Sequence, residues 1–171
     1  MDQSISRING LSVEEATAEF LKCCGSSRWA RQMSDARPFS NWQELSCKAD
    51  EIWWKLAEAD WLEAFRAHPK IGEKKAASAQ SPQASNWSAQ EQSGVADASS
   101  QTIDELADLN REYERRFGFI FIVCATGKSS DEMLEALKRR CQNEAATEIR
   151  IAAEEQSKIT RLRLEKLLQQ S

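Results

Sequence analysis

Three groups of residues in this 171-residue chain have the types and spacing that chemistry requires. The first is His68-Pro69, which holds the single histidine of the sequence. An imidazole titrates near about pH 6.5 and serves naturally as a general acid or base. Proline cannot continue a helix from its interior and restricts the residue before it to extended geometry, so His68 is expected at a helix terminus. A structural histidine bonded to a backbone carbonyl would fit the same position. The second group is Ser88-Ala-Gln-Glu91-Gln92. A serine with a glutamate three residues on is either a capping box, or a hydroxyl and a carboxylate at a helix start, where free N–H groups bind a polar or anionic ligand. The third is Arg161 with Arg163. Two residues apart on a helix, they cannot share a face. One is expected to meet solvent and the other to point inward, where a guanidinium can clamp a carboxylate or ureido group bidentately.

These residues need elements to position them, and composition says which kind. The chain is 41% apolar and 29% charged, with six Trp and six Phe, the mixture of a folded domain. Six Gly and three Pro stand against about twelve and about eight at average usage, too little turn punctuation for a sandwich or barrel of short strands. A mostly helical fold follows. Serine or threonine with Glu or Gln three residues on, at Ser12/Glu15, Ser40/Gln43, Thr102/Glu105 and Ser129/Glu132, marks helix starts. Gly25 ends the first helix, and residues 26–33 add one or two further turns. Leu45, Ala49, Ile52 and Leu56 form the buried stripe of another helix. The turn at 60–67 leads directly into His68. Residues from about 73 to 87 read as an exposed loop or loose helix, with a new helix opening at Ser88. Asn143 is expected to cap a last helix reaching Leu168, with Ile149, Ala153, Gln156 and Ile159 along one face. Phe117 to Ala125 reads as a buried strand by its bulky and β-branched content. It has no pairing partner, and so is expected to lie extended or partly helical inside a helical shell.

Several function classes drop out. A net charge of −4 argues against non-specific nucleic-acid binding. The longest apolar stretch falls far short of the roughly 20 residues of a membrane span. Residues 1–9 lack the basic-then-apolar order of a secretory signal. Five cysteines without a C-x-x-C pair suggest reduced, buried thiols in an intracellular compartment. One histidine and scattered cysteines give no metal-ligand spacing, and there is no phosphate loop or nucleophile elbow.

The segments DWLEAFRAHPKIG (60–72), SAQEQSG (88–94), LNREYERRFGFIFIVCATGKSSDEMLEAL (109–137) and TEIRIAAEEQSKITRLRLEKL (147–167), in that order, resemble the family of 2-oxo-4-hydroxy-4-carboxy-5-ureidoimidazoline (OHCU) decarboxylases. CCGSSRWARQMS (23–34), with FIFIVCATG, is most similar to the decarboxylase domain found in the plant allantoin synthases. The resemblance covers about residues 12–168 and implies a single all-α domain of seven to nine helices, with one buried extended segment near 118–125. It also implies cofactor-free conversion of OHCU to (S)-allantoin, as a homodimer, in peroxisomes or cytoplasm. It maps the catalytic residues onto His68, Glu91 and Arg163. Substrate contacts fall to Ser88, Gln92, Pro69 and the main chain of Phe119, Ile120, Phe121 and Ile122. Arg161 is the second candidate for the arginine. A hydroxyisourate hydrolase (transthyretin-like) domain, fused in the plant proteins, is not in this chain, nor is a C-terminal Ser-Lys-Leu address. A monofunctional homologue or an excised domain is therefore expected. The rival from another class is a helical protein-interaction module, since plant relatives are linked to receptor-kinase signalling. That module would need a broad exposed apolar patch, whereas an enzyme needs an enclosed site.

Overall fold

Side-chain caps decide where most helices of this chain begin. The computed structural model describes residues 2–71, 81–95 and 98–169, and among them it contains nine α-helices, one 3₁₀ turn and no strand. The chain divides into two compact units, residues 1–64 with 157–171, and residues 65–156.

The first unit opens with α1 (Asp2–Gly10), α2 (Val13–Cys23), α3 (Ser27–Asp35) and α4 (Trp42–Lys55). α1 has little helical signal in its polar sequence, yet its two apolar side chains, Ile5 and Ile8, are both buried. Ser12 and Glu15 form the complete capping box expected at α2. At α4 the cap is Asn41 rather than Ser40: Asn41 accepts from Glu44 N, and the Glu44 carboxylate accepts from Ser40 N. Asparagine and serine cap about equally well, and here the asparagine one residue on takes the position. α2 packs on α3, where Phe20 meets the rings of Trp29 and Phe39 edge-on at 6.1 and 6.4 Å. The Trp29 indole N–H donates to Ala49 O at 3.1 Å, so the buried ring leaves no orphan donor.

The second unit runs from the end of α5 (Glu58–Arg66) through α6 (Pro82–Glu91), the 3₁₀ turn Ser93–Val95, α7 (Ser100–Phe117), α8 (Ser130–Arg140) and the first part of α9 (Ala145–Gln169). α8 starts on its expected box at Ser129 and Glu132. α7 starts one turn before Thr102, because Ser99 accepts from Thr102 N. α6 starts at Pro82 under a Ser81 cap, so the loop expected to reach residue 87 is helix from 82 onward. Proline at the first helical position sacrifices only an N–H that would have been unpaired there. Residues 73–80 of that expected loop lie outside the described residues. α9 starts at Ala145, and the Asn143 side chain is spent elsewhere, donating to Glu148 Oε2 at 2.8 Å.

The segment after α7 is extended and joins no sheet, as its lack of a partner in sequence requires. Gly118 closes α7 in the left-handed region, φ 79°. Side chains then take over the work of neighbouring strands. Arg140 Nη1 donates to Ile122 O at 2.6 Å, Cys124 N donates to Glu155 Oε2 at 2.7 Å, and Lys128 Nζ donates to Cys124 O at 2.6 Å. Phe119 and Phe121 pack against Tyr113, with centroids at 5.7 and 5.4 Å. Behind them Glu148, with no solvent exposure, accepts from Arg140 Nε at 2.6 Å and from Tyr113 OH at 2.5 Å. Burial, opposed by the Arg140 charge, raises the Tyr113 phenol above its usual range, which keeps it a donor. Glu148→Leu leaves a buried guanidinium and phenol without their acceptor. It should cost about 3–5 kcal/mol in urea denaturation; a loss under about 1 kcal/mol would show that the hub does not hold this unit together.

Candidate active site

His68 closes α5, its backbone N–H donating to Phe65 O at 3.1 Å, at the helix end that the following proline predicts. Its ring is half-buried and held by a side chain of α9: Nε2 stands 2.7 Å from Gln156 Oε1. Gln156 is completely buried. An amide oxygen only accepts, so the contact is a hydrogen bond when Nε2 carries the hydrogen, which in a neutral ring leaves the lone pair on Nδ1. Lys70, two residues on, ties the segment to α7 by an ion pair with Glu114 at 2.7 Å; Pro69 between them is half-buried.

Ser88 and Glu91 are not at a helix start, which removes both the capping-box reading and the N-terminal anion site. They lie in the last turns of α6 and are buried. Ser88 Oγ donates to Ala84 O at 3.0 Å, the intrahelical bond open to a hydroxyl inside a helix. Glu91 is the last residue of α6, and Gln92 is its C-cap. Glu91 thus places a buried side chain at a helix C-terminus. Its negative charge raises the Cys124 thiol, as a smaller cause behind burial and the Glu155 charge, with Lys128 pulling the other way. Glu91 therefore neighbours the extended segment, in which Phe119, Phe121 and Ile122 are buried and Ile120 is half-buried. Gly94 shows how tightly the two runs meet: a Cβ on it would stand 2.2 Å from Lys128 O.

The two arginines lie in the first unit, and the two-residue spacing separates them as expected. Arg163 is 3% exposed. Arg161 is exposed, 5.9 Å from the Trp42 ring and 3.9 Å from Glu165. Burial pushes the Cys24 thiol up to about 11 and raises that of Cys23 as well, against the pull of the Arg163 guanidinium. Both stay protonated at neutral pH, so neither thiol supplies Arg163 with a counter-charge. All five cysteines are free; Cys47 is exposed, against the expectation that all are buried.

Gln156 is the functional candidate that reading the sequence for chemistry misses. Its signal is an amide standing on the otherwise apolar stripe Ile149, Ala153 and Ile159 of α9.

With this geometry in place, comparison with known proteins gives a consistent result. The OHCU decarboxylase family model matches residues 9–165. The chain is 43% identical to the uric acid degradation bifunctional protein TTL of Arabidopsis thaliana, over 92% of this chain and 48% of that protein. It is 30% identical to the 2-oxo-4-hydroxy-4-carboxy-5-ureidoimidazoline decarboxylase of Amia calva, over 95% and 93%. A crystal structure of an OHCU decarboxylase in the presence of (S)-allantoin is similar at a TM-score of 0.76 and 44% identity, covering 88% of this chain and 97% of that one. The chain belongs to the OHCU decarboxylase family and has its all-helical fold. It spans about half the length of the Arabidopsis relative, and 31% of a Bacillus bifunctional protein. No helix among the described residues is long and apolar enough to cross a membrane.

The contact at Gly94 can be tested directly. Gly94→Ala should cost about 1–3 kcal/mol by forcing the 3₁₀ turn off the Lys128 carbonyl. Gly10→Ala, where nothing lies within 4 Å, should change stability by less than about 1 kcal/mol; equal effects in urea denaturation would show that the close approach does not matter.

Proposed function

We propose that this chain is a carboxy-lyase that decarboxylates OHCU to (S)-allantoin in the degradation of urate. The observation that carries this function is the family match over residues 9–165, which contains the HPKIG histidine with its ring fixed on Gln156 at 2.7 Å.

The chemistry fits what these side chains supply. OHCU bears a carboxylate and a hydroxyl on one ring carbon, beside the carbon that carries the ureido group. When the C–CO₂ bond breaks, its electron pair forms a C=C bond with that neighbouring carbon, and the ring C=N takes up a proton at nitrogen. The hydroxyl then gives up its proton as its carbon becomes a carbonyl, and the ureido-bearing carbon receives one. CO₂ leaves, one proton is consumed from solution, and the imine acts as the electron sink, so no metal or organic cofactor is called for. The protein has to orient the substrate and to move protons to one face only. His68 is assigned the hydroxyl proton. Glu91, with Ser88 and Gln92, is assigned the ureido N–H groups, which a carboxylate accepts in pairs. The main chain of 119–122 lines the pocket. Arg163, inward-facing by its burial, is assigned an oxygen of the substrate, with Arg161 left at the surface. By the same family resemblance the protein is a homodimer of peroxisome or cytoplasm, working beside a hydroxyisourate hydrolase (transthyretin-like) domain, fused or separate.

The test uses freshly generated OHCU with CO₂ release and circular dichroism of the product. His68→Asn should lose about 10²–10⁴-fold in kcat and leave allantoin racemic, as in the spontaneous reaction. Near-wild-type turnover to the (S) product would overturn the assignment, and ureide hydrolysis without CO₂ would overturn the reaction class.

A further inference from the structure

We propose that Gln156 is a positioning residue that locks His68 in its Nε2–H tautomer and makes Nδ1 the atom that exchanges protons with substrate. This rests on the decarboxylase function proposed above. The pair is 88 residues apart in sequence and 2.7 Å apart in space, and its glutamine is wholly buried on a stripe otherwise suited to Ile and Ala. A buried amide at such a position carries a desolvation cost that an aliphatic side chain would not, so packing alone does not account for it.

The choice of an amide has its own chemical meaning. A carboxylate behind an imidazole fixes the tautomer too, but it also favours the imidazolium and raises its pKa. An amide oxygen accepts the same N–H and adds no net charge, so the ring is oriented and kept available as a base. The charged residues flanking the pair are otherwise engaged or turned outward. Arg66 and Glu154 are exposed. Lys70 is paired with Glu114, and Glu155 accepts from Cys124 N. On α6, the buried Glu91 carboxylate is within electrostatic reach of Cys124.

A sequence with one histidine makes the test unusually direct, because a tag-free ¹⁵N-labelled chain shows one imidazole in a long-range ¹H–¹⁵N correlation spectrum. Above the titration of the ring, the wild type should give the pattern of a protonated Nε2 and an unprotonated Nδ1. Gln156→Leu should relax it to a mixture of tautomers and lower kcat by at least about tenfold with a smaller change in KM; loss of tautomer control in a Ser-His-Asp triad costs up to about 10⁴-fold. Gln156→Glu, nearly isosteric, should keep the tautomer, raise the ring's titration by about one pH unit or more, and carry the acid limb of the kcat/KM profile upward by the same amount. An Nδ1–H ring in the wild type overturns the proposal whatever the activity, and needs no variant to fold. So does a Gln156→Leu enzyme with unchanged tautomer and kcat. If His68→Asn keeps its activity while the wild-type ring shows the Nε2–H pattern, the failure lies elsewhere: that outcome overturns the catalytic role of His68, and with it the proton-exchange step.

Discussion

A buried extended segment with no sheet beside it must find partners for its N–H and C=O groups elsewhere, and the unit formed by residues 65–156 is organised around that requirement. Three long side chains, from α8, α9 and the turn after the segment, reach the main chain at Ile122 and Cys124. Arg140 can do so only because Glu148 takes its remaining charge, and Glu148 can be buried only because Tyr113 and Asn143 donate to it as well. Apolar residues of similar volume in place of such an ion pair often match or exceed its stability. They could not donate to Ile122 O. The pair is therefore explained by the geometry it imposes on the segment.

The same segment is where the fold meets the proposed chemistry. Lys128, which accepts the close approach of Gly94 at its carbonyl and donates to Cys124 O with its ammonium, joins the end of the segment to the run that carries Glu91. Glu91 is buried at the end of α6. The proposed decarboxylation suits a buried setting, because charge leaves a compact carboxylate and spreads into a ring, a change favoured as water is excluded.

Much of this was legible in the sequence, and the exceptions have identifiable physical causes. The boxes at Ser12 and Ser129 stand alone beside their apolar runs, and both helices start there. In serine-rich stretches several residues compete for the same role. Ser81, Ser85 and Ser88 all precede apolar positions, as do Ser99, Ser100 and Thr102, and the earliest of each set makes the cap. That is why α6 and α7 begin ahead of the places their spacing suggests. The inward turn of Arg163 and the helix-end position of His68 followed from local rules, two-residue spacing and proline geometry. The partners of Ile122 O and of His68 Nε2 did not. They come from residues 18 and 88 positions away, and no local pattern encodes such a pairing.

Gln156 shows the one trace that long-range pairing can leave. Helical periodicity assigns it to the buried face of α9, and burial of a primary amide has to be answered by a specific partner. A polar residue on an apolar stripe is thus a statement that something polar waits across the interface, even when the sequence does not say what. Here it is the only imidazole in the chain. A neutral acceptor fits the task better than a charged one would. In the proposed reaction the ring takes a proton from a hydroxyl near neutral pH, and a carboxylate partner would bias it towards the cation that cannot. The amide supplies direction without charge, and the proposed reading leaves the donors of the ureido group to Glu91.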